Sequence, residues 1–495
     1  MRCWWLVLCV ACGGKNGDDN PNGDGGSNSV DAAMPVARCT HPPLSDVSSP
    51  TATVGDGTAA SCTAAALQSA ATGGGTIVFN CGAAPVTITV ATPITFTNET
   101  VLDGNLLVTL SGGGTSRILY LDSDYNTATP RLVVQRLSFR DGKSPAVGVD
   151  TAQGGAAIYR DGGSLTVIDS AFDGNHGPAT GQDVAGGAIY GFGGGDTIIV
   201  GSTFTNNSAS DGGAVGSLNG DLTVIDSSFT NNAATGTGGN PGNGGCGGAL
   251  YMDGRDEATS LCGVIIHDNT AGAIGGGFFR VSNDHTGSFA MDRSSVDHNR
   301  VTSSTDGNAG GLYLEGLALT ITASTISRNE GFYNGGIWIN TCTVDMTNVT
   351  IAENIATGSN GGGVWLGNTP TGTMKNCTIA NNHSMASGRV AGAIFGDGLT
   401  LVNTVIAGNT AQYTPGCDVS RAGGSGNLQW PMGALCTDAP VIADPMLGAL
   451  TDNGGGADTL VPSTGSPARG IATGCPPTDQ LGMPRGEPCT AGAVE

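Results

Sequence analysis

Short stretches of alternating apolar and polar residues recur along most of this chain. In four of them a leucine is followed by Thr and another aliphatic residue: Leu165–Val167, Leu222–Val224, Leu319–Ile321 and Leu399–Leu401. Period-two alternation predicts β-strands with one buried face. No amphipathic helix of useful length is predicted between them, so the strands must be joined by short loops.

A first motif places Asn three positions after an apolar residue. Nine copies recur at intervals of 25 to 37 residues, and the leading Leu of each clear strand lies ten residues before the Asn. The copies are Phe172/Asn175, Phe204/Asn207, Phe229/Asn232, Ile266/Asn269, Val296/Asn299, Ile326/Asn329, Ile351/Asn354, Ile379/Asn382 and Ile406/Asn409.

A second motif consists of small residues, often Gly, then an apolar residue and an aromatic. Its aromatic positions are Tyr159, Tyr190, Tyr251, Phe279, Tyr313, Trp338, Trp365 and Phe395, and one further copy has Gly216 instead. Repeats of this kind, with insertions mainly after the Asn, predict an all-β parallel β-helix. A β-propeller is disfavoured because its blades have about 40 residues and antiparallel strands.

The two motifs are expected to form the bends of the coil. Asn tolerates the left-handed conformation and can hydrogen bond to the next turn, while Gly supplies positive φ. The predicted organisation is a lipoprotein-type signal peptide (1–12), a flexible tether (13–40), the β-helix with N-terminal cap turns (41–415), and an irregular C-terminal segment packing on the helix end (416–495).

The N-terminus indicates export. Met1–Arg2 is a minimal charged region, Cys3–Ala11 is an apolar run too short to span a bilayer, and Cys12 follows. This arrangement is similar to a bacterial lipobox, although Cys9 stands where leucine is usual. It predicts lipidation of Cys12 and a location at the outer membrane or cell surface, and an ordinary signal peptide is the alternative.

Beyond Cys12 the chain has eleven cysteines, which an exported protein would oxidise. The expected local pairs are Cys417–Cys436 and Cys475–Cys489. Other candidates are Cys246–Cys262, Cys342–Cys377 and one pair among Cys39, Cys62 and Cys81. Because eleven is odd, at least one thiol stays free or pairs elsewhere, and no spacing matches a C-x-x-C zinc site.

Charge narrows the range of partners. The net charge is −22 and the only lysines are Lys15, Lys143 and Lys375. No basic patch can neutralise phosphates, so nucleic acid is not an expected partner. Polyanions such as pectin would be repelled unless Ca²⁺ bridged them.

The repeats resemble those of chlamydial polymorphic outer membrane proteins. The tail resembles the end of bacterial choice-of-anchor Q surface proteins, at Asp444–Gly448, Asp452–Gly455, Gly465–Ala468, Thr478–Gln480 and Ala491–Glu495. It departs from them at Leu481 and Arg469, where Arg and Asp are usual. This resemblance covers about residues 50–495. It implies a single-stranded right-handed parallel β-helix and a role in adhesion or surface display, and it carries no catalytic residues.

Strand alternation places the aromatic residues of the second motif outside the coil. Tyr159, Tyr190, Tyr251, Tyr313, Trp338 and Trp365 are therefore predicted to form an outward stripe that stacks on sugars or contacts a partner surface. Packing beneath the edge loops, or an inward column, is the structural alternative.

An enzymatic alternative follows only from other β-helices, many of which cleave pectins. Carboxylates with Arg can bind Ca²⁺ and abstract a proton from a uronate, and a solvated loop edge is the plainer interpretation. The densest charge cluster contains Asp253, Arg255, Asp256, Glu257, Arg280, Asp284, His285, Asp292, Arg293, Asp297 and His298.

The sequence therefore favours a non-enzymatic adhesin or display scaffold without a catalytic site or cofactor. The alternatives are a polysaccharide lyase or glycoside hydrolase, with Ca²⁺ as its cation, and a carbohydrate-binding protein. The expected partners are a host or neighbouring-cell surface or a polysaccharide, and the membrane through the N-terminal lipid.

Overall fold

A computed structural model describes residues 39–145, 153–421 and 423–495, which belong to the unit spanning Val36–Glu495. Cys12, the predicted signal peptide and nearly all of the predicted tether lie outside the described residues. Among the described residues, no helix has the length and apolar character needed to cross a membrane.

Strands of successive turns pair in parallel and build a β-solenoid of about 12 turns, which confirms the predicted fold. Three sheets run along it. Sheet A takes two strands from most turns, sheet B takes the strand with the aromatic motif, and sheet C takes a short strand after the Asn. Two further strands, Thr451–Asp452 and Asp458–Thr459, pair antiparallel in the C-terminal segment.

Sheet A begins with five strands of the first turns: Ala52–Val54, Gly75–Phe79, Val86–Thr89, Thr100–Ser111 and Arg131–Arg140. The first strand of each later turn is Ser164–Ile168, Thr197–Val200, Leu222–Ile225, Ala258–Cys262, Ser288–Asp292, Ala318–Thr322, Thr343–Thr347, Thr371–Lys375 or Leu399–Val402. The second strand is Ala171–Asp173, Thr203–Thr205, Ser228–Thr230, Ile265–His267, Ser295–Asp297, Thr325–Ser327, Thr350–Ala352, Thr378–Ala380, Val405–Ala407, Leu428–Trp430 or Val441–Ile442.

Sheet B consists of Ile94–Phe96, Leu119–Asp122, Ile158–Asp161, Ile189–Phe192, Val215–Leu218, Leu250–Gly254, Phe278–Ser282, Leu312–Glu315, Ile337–Asn340, Val364–Gly367 and Ile394–Phe395. Sheet C consists of Ser208–Ala209, Ala233–Ala234, Thr270–Ala271, Arg300–Val301, Glu330–Gly331, Ile355–Ala356 and His383–Ser384.

The inward side chains form one hydrophobic core along the solenoid. In Ala318–Thr322, for example, Leu319 and Ile321 are buried and the other three residues are exposed or half-buried. The apolar residue of the first motif also points inward. Phe139, Phe172, Phe204 and Phe229 stack there with ring centroids 4.6 to 4.8 Å apart, so the inward rings repeat at the spacing of parallel strands.

The nine motif asparagines form a continuous buried ladder. Asn329, for example, donates from Nδ2 to Asn354 Oδ1 at 3.0 Å and to the Val296 carbonyl oxygen at 2.9 Å. Its own Oδ1 accepts bonds from the backbone N–H and the side-chain amide of Asn299. The predicted bonding between turns is confirmed.

The left-handed conformation does not lie on these asparagines, so that part of the prediction is wrong. Positive φ occurs at the residue just before each one: Gly174, Asn206, Asn231, Asp268, His298, Arg328, Glu353, Asn381 and Gly408. The side-chain amides of the ladder asparagines hydrogen bond to neighbouring turns, and some also donate to the carbonyl oxygen two residues earlier in their own turn, as Asn269 does to His267.

A second ladder lies at the bend between the two sheet A strands. The backbone N–H of Ser170 donates to Ser202 Oγ at 3.1 Å, and that of Ser202 donates to Ser227 Oγ at 3.0 Å. The same contact joins Ser294 to Ser324. Each serine again follows a positive-φ residue, as Asp169 precedes Ser170. In the turns that carry this serine, two corners are thus bonded by side chains.

Between the first two strands of sheet A lies a helix that the alternation pattern did not predict. It spans Ala64–Gly73, and the Thr63 hydroxyl caps it by accepting a bond from the Ala66 N–H at 3.2 Å. Leu67 and Ala71 are buried in the solenoid core.

The C-terminal segment folds back along the side of the solenoid instead of packing only on its end. Arg328 Nη1 contacts Asp458 Oδ2 at 2.6 Å, Thr350 Oγ1 donates to Gln480 Oε1 at 2.6 Å, and the Ala493 N–H donates to Thr378 Oγ1 at 2.9 Å. The coil itself continues past residue 415, through Leu428–Trp430 and Val441–Ile442.

The described residues contain four disulfides, including the predicted Cys417–Cys436 and Cys475–Cys489. Cys62–Cys81 is the pair expected within the N-terminal trio. Cys39 pairs with Cys262, which is 223 residues away. The candidate pairs Cys246–Cys262 and Cys342–Cys377 are therefore wrong, because Cys246, Cys342 and Cys377 are buried free thiols.

We expect Asn329→Ala to lower the free energy of unfolding by about 3 kcal/mol, because buried groups on both neighbouring turns lose their partners. Urea unfolding followed by circular dichroism measures this change. Asn126→Ala is the control, because Asn126 is exposed in a loop and bonds only locally to Asp124. Equal effects of the two substitutions would contradict a stabilising role for the ladder.

The three free thiols should resist alkylation in the native protein. Burial blocks reagent access, and it raises the pKa of the Cys377 thiol to about 12 and the pKa values of Cys246 and Cys342 above the ordinary range. Peptide-resolved mass spectrometry after iodoacetamide treatment should find these three modified only once the chain is unfolded without reductant. Rapid labelling of any of them in the native protein would disprove the assignment.

Candidate functional site

The aromatic residues of the second motif form a column on the outer face of sheet B. In the register of this sheet Tyr120 pairs with Tyr159, and Tyr159 with Tyr190. Tyr120 thus extends the column, although its strand lacks the motif. Tyr159, Tyr190, Tyr251 and Phe279 belong to a hydrophobic cluster separate from the solenoid core. Strand alternation therefore placed the column correctly outside the coil.

The first half of the column is covered by loops. Tyr159, Tyr190 and Tyr251 are at most 3% exposed. Tyr251 donates to Asp183 Oδ1 at 2.8 Å and accepts a bond from Asn240 Nδ2 at 2.8 Å. The prediction that these three tyrosines contact a ligand is wrong, because inserted loops bury them.

The second half of the column is half-buried and reaches solvent. We call Tyr313, Trp338, Trp365 and Phe395 the aromatic ridge. Ring centroids are 6.0 Å apart for Tyr313 and Trp338, 4.7 Å for Trp338 and Trp365, and 4.3 Å for Trp365 and Phe395.

The geometry of the ridge determines which part of each ring is available. The first two pairs are stacked at interplanar angles of 16° and 11°. Their ring faces are therefore occupied by each other, and the edges are what remains for contact with solvent. A row of edges offers apolar contact area but few free faces for a sugar ring.

The ridge also has a polar border. The Tyr313 hydroxyl donates to Glu315 Oε2 at 2.6 Å, and burial together with this carboxylate raises the pKa of Tyr313 well above its ordinary value. Tyr333 lies beside the ridge and meets Trp365 edge to face at 6.4 Å. An apolar strip with hydrogen-bonding groups at its margin is typical of interaction surfaces.

The densest charge cluster of the sequence does not form one site. Arg255, Asp256 and Glu257 lie in the connection from sheet B to sheet A. Asp292 and Arg293 lie at the serine bend of sheet A and pair at 2.7 Å, whereas Asp297 and His298 lie at the asparagine corner. Their positions at different corners of the turn separate these groups.

Arg280 of the same cluster points inward and is fully buried. Its Nε donates to Thr259 Oγ1 at 3.0 Å, and burial lowers its pKa to about 10. Asp253, Asp284 and His285 lie at or just beyond the ends of the sheet B strands Leu250–Gly254 and Phe278–Ser282.

One cleft gathers part of the cluster. It has a volume of about 480 Å³ and is lined by Tyr125, Asn219, Arg255, Asp256, Glu257 and Asn283. It is wide open to solvent, and the Arg255 N–H donates to Glu257 Oε2 at 2.5 Å. The cleft thus combines carboxylates with an Arg, as the enzymatic alternative requires.

A buried acid beneath the loop at 233–246 escaped the sequence analysis. Asp211 Oδ1 accepts a bond from the Cys246 N–H at 2.8 Å. Burial raises the pKa of Asp211 to about 8, the negative charge of Asp183 adds to the effect, and the Cys246 bond opposes it. Asp211 directly precedes the Gly212–Gly213 pair of the motif copy with Gly216, but that motif gives no sign of a buried acid, so only the packing of the loop reveals it.

Comparison with known proteins gives no family. No protein-family model matches the chain, and no curated protein matches it. Among solved structures it is similar to the periplasmic alginate epimerase AlgG, with 12% identity, a TM-score of 0.33, and coverage of 76% of this chain and 85% of that chain. It is also similar to PfbA, a surface adhesin of Streptococcus pneumoniae, with 11% identity, a TM-score of 0.29, and coverage of 81% and 96%. Neither similarity is close enough to assign a function.

The stability of the protein should depend on pH through Asp211. Its pKa is raised from 3.8 to about 8 on folding, so its contribution is complete below about pH 4 and is lost as pH rises through 8. Between these limits the slope is at most about 1.4 kcal/mol per pH unit. Urea unfolding midpoints at pH 5 and pH 9 should differ less in Asp211→Asn than in the wild type.

The matched control for this pH dependence is Asp306→Asn, which changes an exposed acid on a loop. It should leave the difference between the two midpoints unaltered. The assignment fails if Asp211→Asn and Asp306→Asn have the same effect.

Proposed function

We propose that this chain is a non-enzymatic cell-envelope protein, an adhesin or display scaffold, that contacts a partner through the aromatic ridge. The observation that carries the proposal is the stacked, half-buried row from Tyr313 to Phe395 on the outside of sheet B. A contiguous row of partly exposed large aromatic side chains on a soluble protein commonly marks an interaction surface.

A protein surface suits the ridge better than a sugar does. The ring faces of Trp338 and Trp365 stack on each other, so a ligand can contact only the ring edges, which form an apolar strip. Trp and Tyr are the residues that dominate binding energy at protein interfaces. The solenoid keeps the row rigid, which reduces the ordering cost of association.

Attachment to the cell envelope is the second part of the proposal. The sequence supports it with the lipobox-like residues before Cys12 and with a tail similar to choice-of-anchor Q proteins. The four disulfides of the described residues also favour an oxidising compartment. In this proposal Cys12 carries the lipid and residues 13–40 connect it to the solenoid.

A polysaccharide lyase or hydrolase is the second candidate, and the cleft around Glu257 is the observation that favours it. The cleft brings Asp256 and Glu257 beside Arg255, a combination that can hold a cation and remove a proton. We rank it lower because the other charged residues of the cluster lie at separate corners of the turn.

The aromatic ridge should carry most of the binding energy. The purified full chain is tested on an array that holds extracellular matrix proteins and glycans. We expect saturable binding to a polypeptide, and binding at least tenfold weaker for the Trp338→Ala/Trp365→Ala variant, since central aromatic residues contribute about 2 kcal/mol or more. Tyr413→Ala is the control, because Tyr413 is 66% exposed and lies outside the ridge.

Three results would contradict this function. If the ridge variant binds as tightly as the wild type, the ridge is not the binding surface. Binding to glycans alone would favour a carbohydrate-binding protein. Release of unsaturated or reducing uronate products from pectin or alginate, with or without Ca²⁺, and its loss in Glu257→Gln would establish the enzyme instead.

A further inference from the structure

Two successive turns carry the same pair of side chains in opposite order. The sequence reads Ile266-His267-Asp268-Asn269 in one turn and Val296-Asp297-His298-Asn299 in the next. Because the strands pair in register with His267 opposite Asp297, Asp268 comes opposite His298. The result is a two-by-two arrangement in which each His has an Asp beside it on its own turn and on the next.

The side-chain nitrogen and oxygen atoms of this group converge. His298 Nδ1 lies 2.8 Å from Asp297 Oδ1, and His267 Nδ1 also contacts that oxygen. One potential ligand atom from each of His267, Asp297 and His298 lies within 4.8 Å of the other two. The imidazole rings are 5.1 Å apart and steeply inclined, so they do not stack on each other.

The surroundings of the group orient two of its ligands. His267 Nε2 contacts Asp268 Oδ2 at 2.8 Å, which leaves Nδ1 directed at Asp297 and His298. Ser295 Oγ donates to Asp297 Oδ2 at 2.8 Å. A carboxylate on the far ring nitrogen of a His and a hydrogen bond to a ligating carboxylate are the usual supports of metal ligands in proteins.

The backbone holds the group rigidly and leaves it accessible. His298 and Asp268 occupy the positive-φ position that precedes the buried ladder asparagines Asn299 and Asn269. The His267 and His298 side chains are 36% and 43% exposed, so an ion can enter from solvent.

We propose that this corner of the solenoid binds a divalent transition metal of the zinc class. His267 Nδ1, His298 Nδ1 and the Asp297 carboxylate are the ligands, and a fourth position faces solvent. Two imidazoles with one carboxylate suit Zn²⁺, Cu²⁺ or Ni²⁺, whereas Ca²⁺ and Mg²⁺ require oxygen ligands. The site lies on sheet A, so it is independent of the aromatic ridge on sheet B.

The test uses isothermal titration of ZnCl₂ into the untagged, chelator-treated full chain. The equivalent positions of other turns show which substitutions should preserve the fold. Thr205 and Thr230 stand where His267 does in the repeat, and Asn206 and Asn231 stand where His298 does. His267→Thr/His298→Asn therefore restores side chains that the solenoid already accommodates at these positions.

We expect the wild type to bind one Zn²⁺ at this corner, and Co²⁺ in its place to give the absorption bands of a four-coordinate site. The double variant should lose this binding by at least a hundredfold. Asp268→Asn should weaken it by about 10- to 100-fold through its effect on His267.

The control variant is His176→Ala/His383→Ala. These histidines follow ladder asparagines on other turns, and their ring nitrogens contact the Ser208 and Thr410 hydroxyls. This variant should bind Zn²⁺ as the wild type does. The proposal is overturned if the wild type binds no Zn²⁺ under these conditions, or if the two double variants bind it equally well.

Discussion

Backbone groups at the corners of a parallel β-helix lie beyond the ends of the strands, yet burial removes them from water. Without partners each of these groups would cost about 1–3 kcal/mol. The asparagine ladder meets this constraint, since the Asn329 side chain, for example, accepts from the Asn299 backbone N–H of the turn before it and donates to Asn354 and to the Val296 carbonyl oxygen. At the bend within sheet A, a serine hydroxyl accepts from the backbone N–H of the turn before it and donates to the carbonyl oxygen two residues earlier in its own turn. The register of the sheets and the columns along them depend on the continuous asparagine row, and the serine row adds bonds in the turns that carry it.

Because the bonded corners hold the turns in place, the outward residues of the solenoid can differ from turn to turn. Inward positions must fill a continuous core, and ladder positions must keep their amide or hydroxyl. Outward positions face neither demand, so different turns carry tyrosines under loops, an aromatic ridge, or the His and Asp pairs. The C-terminal segment uses the same freedom, because its Gln480 and Ala493 dock on outward Thr side chains of successive turns.

The repeat was sufficient to predict the architecture. Alternation and the fixed distance from Leu to Asn identified the strands, and the stacking of the asparagines followed from their spacing. The displaced positive φ was not predictable, since Arg328 and Glu353 have no preference for that conformation. The serine ladder was missed because other residues replace serine in several turns, such as Val264 and Val349.

The site was harder to predict than the fold. Alternation correctly placed the aromatic residues outside, but it carries no information on which loops fold over Tyr190 and Tyr251. The pairing of Cys39 with Cys262 joins residues that no local pattern connects. His267 and Asp297 meet only because their strands stack in register. The charge cluster identified along the sequence contains Asp297 but not His267.

The Cys39–Cys262 disulfide has a mechanical consequence. It joins a residue that precedes the first strand to the end of a sheet A strand midway along the described turns. Force applied to the chain before Cys39 is therefore transmitted through the disulfide to Cys262, and it does not unfold the first turns one after another. The segment between the two cysteines bears no force for as long as the disulfide is intact. A reducing environment would therefore lower the resistance of the protein to mechanical unfolding.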